Sequence, residues 1–181
     1  MENGAEDYRR FLNGDNEALT RLIKTYKDGL TFFLLAYTGD LNLAEEAMQE
    51  TFVRLFVKRP KYKGTAQFRT WLYGIGRNTA RELWRKAKTA PDVETPFDAA
   101  EAAETVYFEE ERRRALYRAM ERLAPRYRQA LWLFYFENMR AKEIAVILHK
   151  SVNGVEVLLH RARTALRLAL EKEGFTGEDL Y

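Results

Sequence analysis

Apolar residues recur at three- and four-residue spacing along most of this 181-residue chain, and only four prolines interrupt them. That period lines one face of a helix, whereas the alternate-residue patterns that would mark strands are weak. An all-α fold is expected. One stretch departs from the pattern: Thr89 to Glu111 holds eight acidic residues and no Lys or Arg, among Ala, Thr and Pro. Such a composition reads as an acidic linker. It divides the chain into two small helical domains, 1–88 and 112–181, joined by 89–111. Each domain is near the size at which one small hydrophobic core suffices.

The net charge of +3 hides a segregation along the chain. Residues 1–88 carry 16 basic and 11 acidic side chains, and 112–181 carry 14 and 8. Within the first domain, Arg54 to Lys88 concentrates eleven Lys or Arg against one acid, Glu82, with Phe56, Tyr62, Phe68, Trp71, Tyr73 and Trp84 interleaved. Positive charge follows a phosphate backbone and flat rings stack on unpaired bases, so this mixture suits a surface that holds separated nucleic acid strands.

Other classes are disfavoured. Cysteine is absent, and two histidines eleven residues apart make no zinc site, so neither a metal nor another cofactor is expected. No nucleophile and base pair, phosphate-binding glycine loop or metal-ligand cluster is present, so the chain does not read as an enzyme. The polar N-terminus and the lack of a run approaching about 18 apolar residues argue against a signal peptide and membrane insertion, and a soluble cytoplasmic protein is expected.

Helix by helix, Phe11 to Tyr26 reads as an opening helix or pair broken at Asn13 and Gly14, followed by an apolar segment from Leu30 that stops near Gly39. Asn42 with Glu45 resembles a capping box and places a helix start there. Ala44, Ala47, Met48, Thr51, Phe52 and Leu55 form one face of that helix, and Glu45, Glu46, Gln49, Glu50 and Arg54 the other. Past Pro60, a long helix from Phe68 to about Lys86 includes Gly74 and Gly76, each costing roughly 1 kcal/mol relative to alanine. In the second domain, Ala141 to Leu148 and Val152 to about Leu170 are joined tightly as a helix-turn-helix, with Ser151 as N-cap. Val155, Leu159, Ala162 and Leu166 point inward, while His160, Arg161, Thr164 and Arg167 point away.

Three ordered segments, "LAEEAMQETFVRLF", "FRTWLYGIGRNTARELWRK" and "LAPRYRQALWLFYFENMRAKEIAVILHKSVNGVEVLLHRARTALR", closely resemble the bacterial extracytoplasmic-function (ECF) sigma factors. The resemblance implies a sigma region 2 helical bundle and a sigma region 4 helix-turn-helix. It also implies core RNA polymerase, promoter DNA and an anti-sigma factor as partners. Glu46, Gln49, Glu50, Phe52 and Arg54 correspond to the attachment surface for polymerase. Tyr62, Lys63, Gly64 and Thr65 match the loop that captures a base flipped from the minus-ten element, Asn78 closes that pocket, and Arg69, Arg77 and Arg81 would contact phosphates.

Ser151, Asn153, Glu156, Val157, His160, Arg161 and Arg163 correspond to the surface that reads the minus-thirty-five duplex. Relatives usually show "GTVKSRL" where this chain has "NGVEVLL", so Glu156, Val157 and Leu158 replace two basic residues and a small polar one. Glu156 would repel phosphate, yet a carboxylate accepts from cytosine, and Asn153 with Glu156 also fits a plain capping box. Gly74 falls where relatives often carry arginine. The alternative to a sigma factor is a helix-turn-helix regulator that binds duplex DNA without polymerase.

Overall fold

The computed structural model describes residues 4–89, 111–172 and 174, so all of the linker except Thr89 and Glu111 lies outside the described residues. Among them are eight α-helices, one π-helical turn and no strand. The first domain comprises α1 (Gly4–Leu12), α2 (Asn16–Thr38), α3 (Leu41–Lys58) and α4 (Phe68–Thr89). The second comprises α5 (Glu111–Glu121), α6 (Pro125–Leu131), a π-turn (Trp132–Phe136), α7 (Ala141–Leu148) and α8 (Val152–Lys172).

The chain reverses where its turn residues allow. α1 stops at Asn13, and Gly14, at φ 102°, takes a backbone that other residues resist. Asp15 then caps α2, its carboxylate accepting from the Ala18 amide at 3.2 Å. α2 is one unbroken helix that ends on Gly39 in the left-handed region. α3 begins earlier than the Asn42–Glu45 pattern suggested, because Asp40 is the cap and accepts from the Leu43 amide at 3.1 Å. A short oxygen acceptor just ahead of the first turn satisfies an otherwise orphaned N–H, and Asp40 stands there instead of Asn42.

In the second domain, Ser151 caps α8 as expected, its hydroxyl oxygen accepting from the Gly154 amide at 3.1 Å. The Asn153–Glu156 box is therefore not what starts this helix. His149 ends α7 at φ 53°, a left-handed position that carries a steric penalty for any residue with a β-carbon. His149→Gly is expected to stabilise the protein by about 0.5 to 1 kcal/mol, raising the melting temperature by about 1 to 4 °C in a thermal melt.

Packing departs from the expectation of one small core per domain. The main cluster runs from Tyr8, Phe11, Leu30, Phe33 and Leu72 in the first domain to Leu133, Ile144, Ile147, Val155 and Leu159 in the second. A smaller cluster, including Met120, Leu123, Ala162 and Leu170, belongs to the second domain alone. Helices α4 and α7 face each other across the seam, as do α2 and α6. Phe32 of α2 lies against Trp132, ring centroids 5.3 Å apart, and Trp132 stacks on Phe136 at 4.3 Å.

Polar groups complete the seam. The carboxylate of Glu137, just beyond the π-turn, lies 3.6 Å from Arg69 Nη1 of α4, and both side chains are largely shielded from solvent. The buried Tyr73 hydroxyl donates to the same carboxylate, and burial, with the adjacent charge of Glu137, pushes its pKa far up. Gly29 of α2 makes room: a β-carbon there would stand 2.5 Å from Glu137 Oε1 and 2.6 Å from the Tyr73 hydroxyl oxygen. Glu143 serves twice, accepting from the Arg140 amide at 2.8 Å at the start of α7 and from the Thr70 hydroxyl at 3.4 Å across the seam.

Candidate nucleic-acid interface

The loop between α3 and α4 is held by an aromatic cluster. Tyr8, fully buried on α1, donates its hydroxyl to the Pro60 carbonyl at 2.7 Å, and burial pushes its pKa up to about 12. Tyr62 packs edge-on against Phe68 at 5.5 Å and tilted against Trp71 at 5.2 Å, and its hydroxyl donates to the Ala66 carbonyl. Tyr62 is thus half-buried: one side of the ring belongs to the cluster that fixes the loop. Lys63, Gly64 and Thr65 are exposed at its tip, with Gly64 at φ 70° making the turn. A groove of about 530 Å³ separates this tip from α1, with Glu6, Arg9 and Leu12 on the far wall. Sequence reasoning missed those α1 residues, because a short opening helix gives no sign of which loop it will meet.

Along α4, Asn78 and Arg81 are exposed, but the two other arginines are not free cations on a surface. Arg69 turns into the seam toward Glu137. Arg77 lies part-buried with its guanidinium carbon 5.9 Å from the Tyr37 ring centroid. The resemblance assigned both to phosphate contacts, yet it says nothing of what packs against α4 in this chain.

The acidic face of α3 is present, with Glu45, Glu46 and Gln49 exposed. Two residues assigned to it by resemblance do other work. Phe52 is buried and packs in the core. Arg54 bonds Glu50 of its own helix at 2.8 Å and Glu82 of α4 at 2.7 Å, tying the two helices together. The Arg54 bond holds the Glu82 carboxyl below the ordinary carboxylate range. The outward strip Glu46, Glu50 continues at helical spacing into Val53 and Val57, which are 51% and 68% exposed. These valines were missed because apolar residues on an amphipathic helix are assigned to the interior by default.

On α8, Asn153, Glu156, Val157, His160, Arg161 and Arg163 are all exposed, and Ser151 sits exposed at its start. Arg163 is drawn aside: its Nε donates to the Tyr135 hydroxyl at 2.9 Å and its guanidinium covers the Phe134 ring at 5.0 Å. Leu158, which replaces a basic residue of the usual pattern, is buried in the main core. That substitution therefore supplies packing, while Glu156 and Val157 alter the outer face.

No helix among the described residues is long and apolar enough to cross a membrane, and none of those residues cluster as a metal site. The geometry offers an exposed cationic and aromatic strip at one place, a helix-turn-helix face at another and an acidic, partly apolar helix face at a third.

The family model for Sigma-70 region 2 matches residues 22–89, and the model for Sigma-70, region 4 matches residues 113–166. The RNA polymerase sigma-H factor of Pseudomonas aeruginosa is 26% identical over 175 residues, covering 90% of this chain and 91% of that protein. The ECF RNA polymerase sigma factor SigM of Bacillus subtilis is 28% identical, covering 88% and 99%. Among solved structures, CnrH in complex with the cytosolic domain of CnrY shares the fold at a TM-score of 0.64 and 22% identity, covering 93% and 95%. The sigma factor RpoE in complex with the anti-sigma factor NepR from Bartonella quintana gives 0.64 at 17%, covering 84% and 96%.

Proposed function

Since the chain belongs to the extracytoplasmic-function subfamily of RNA polymerase sigma factors, we propose that it works in the cytoplasm as a non-catalytic initiation subunit. It binds core RNA polymerase, directs it to specific promoters and assists their melting. Polymerase supplies the phosphoryl-transfer chemistry, and this chain supplies binding energy that favours the opened strand.

The observation that carries this reading is the exposed strip of Lys63, Gly64, Thr65, Asn78 and Arg81 beside a fixed aromatic loop, inside the segment matched by Sigma-70 region 2. A regulator confined to duplex DNA needs no platform for unpaired bases. Glu46, Gln49 and Glu50 attach the chain to polymerase, and the adjoining Val53 and Val57 extend that contact. Phe52 and Arg54 act there indirectly, by shaping α3 and holding Glu50. Tyr62 with Lys63, Gly64 and Thr65 captures a minus-ten base, Asn78 reads its edge, and Arg77 and Arg81 hold phosphates. Arg69 joins them only once it leaves Glu137. Asn153, Glu156, Val157, His160 and Arg161 face the minus-thirty-five duplex, flanked by Ser151 at the helix start and Arg163. An anti-sigma factor covers the polymerase-binding face when the protein is held inactive.

Reconstitution tests the reading. Core polymerase with this chain is expected to initiate at discrete sites on genomic DNA fragments, mapped by sequencing the transcripts, where core alone does not. Failure to co-elute with core polymerase in gel filtration would reject it.

A further inference from the structure

Glu156 is an acid on a cationic face. Between Asn138 and Leu170, Arg140, Lys142, Lys150, Arg161, Arg163 and Arg167 are all exposed, and Glu156 is the one exposed acid among them. The other acid of that stretch, Glu143, is buried in the seam. Helix chemistry does not account for a carboxylate here. Ser151 already caps α8, accepting from the Gly154 amide. Val152 is the first residue of α8, so Glu156 stands beyond the first turn, where the helix dipole no longer favours an anion. Among the described residues it has no hydrogen-bond or ion-pair partner.

Its neighbours indicate what it meets. At 100° per residue, the exposed Asn153, Glu156, Val157 and His160 fall within about 100° of the helix circumference, opposite the buried Val155, Leu159 and Ala162. They cover about 10 Å of the axis, the height of about three base-pair steps. Val157 is 50% exposed, so the face sets apolar carbon beside an acceptor. In the major groove, cytosine shows an amine donor with no acceptor beside it, and thymine alone carries a methyl group. Guanine offers acceptors only, thymine an O4 acceptor, and adenine sets the N7 acceptor next to its amine.

We infer that Glu156 and Val157 set the base preference of α8, Glu156 accepting from N4 of a cytosine and Val157 packing on the methyl of a thymine at a neighbouring position. The basic side chains around them hold the helix to the phosphates whatever the sequence, and thereby carry the carboxylate into the groove. At any base but cytosine it then faces an acceptor and loses its water without gaining a donor. The assignment rests on α8 entering the major groove of the minus-thirty-five duplex.

The test selects reconstituted polymerase, carrying the full chain, on promoter fragments randomised across the minus-thirty-five element, and sequences the bound fragments. The wild type is expected to enrich cytosine at one position, with other bases there binding at least about 5-fold more weakly, and thymine at a neighbouring one. Glu156→Gln is expected to move the first preference to adenine, because an amide bonds N6 and N7 together, and Glu156→Arg to guanine. Deoxyuridine in place of that thymine removes only the methyl group. It is expected to weaken wild-type binding about 4-fold and to leave binding by Val157→Ser unchanged. Base preferences that stay the same in both Glu156 variants, while His160→Ala and Arg161→Ala erase selection at the element, would overturn the assignment and leave α8 as the reading helix. Absence of any selection at the element by the wild type would remove the duplex reading as well.

Discussion

Alanine at Tyr62 or at Asn78 is expected to lower promoter opening by roughly 5- to 150-fold, the equivalent of about 1 to 3 kcal/mol for one base stacked on an aromatic ring. The effect at Val157→Ala is expected to be smaller. The measurement is permanganate reactivity of unpaired thymines in promoter DNA bound by the reconstituted polymerase. Tyr62→Phe separates two contributions, because it keeps the ring against Phe68 and Trp71 while removing the hydroxyl bond to the Ala66 carbonyl. A Phe variant near wild type and an Ala variant that fails would assign the loss to the ring. Equal or greater loss at Val157 would move sequence selection into the second domain.

The second large effect concerns Arg69. Arg69→Met is expected to destabilise the protein by about 3 kcal/mol, because it strands the largely buried Glu137 carboxylate without its cation. Lys63→Met, at an exposed site with no such partner, is expected to change stability by less than about 0.5 kcal/mol. Urea unfolding of the free protein reads both. An arginine that served only to contact DNA would behave like Lys63, so an unchanged midpoint for Arg69→Met would discard the seam contact. Glu137→Gln is the milder partner variant, since an amide oxygen still accepts from the Tyr73 hydroxyl.

Much of this was legible before any coordinates. Ser151 as a cap, the inward set Val155, Leu159 and Ala162, and the tight join before α8 follow from local capping chemistry and helical period. Those depend on residues a turn or two away. What stayed hidden depends on residues distant in sequence. Period shows that Val155 and Leu159 face inward but not that they share a core with Leu72 of the first domain, and charge shows that Arg69 is polar but not that Glu137 awaits it. Arg54 read as a surface cation for the same reason, its Glu82 partner lying 28 residues on. Leu158 is the converse: it read as a defect in the DNA-reading pattern, whereas its burial shows it working in the interior.

The interior common to both domains limits reach. A compact chain of this length has a radius of gyration of about 16 Å, whereas positions ten and thirty-five upstream of a start site lie some 85 Å apart at about 3.4 Å per base pair. No closed form of this molecule touches both at once. On the proposed reading, the Arg69–Glu137 contact must part before the two halves straddle a promoter.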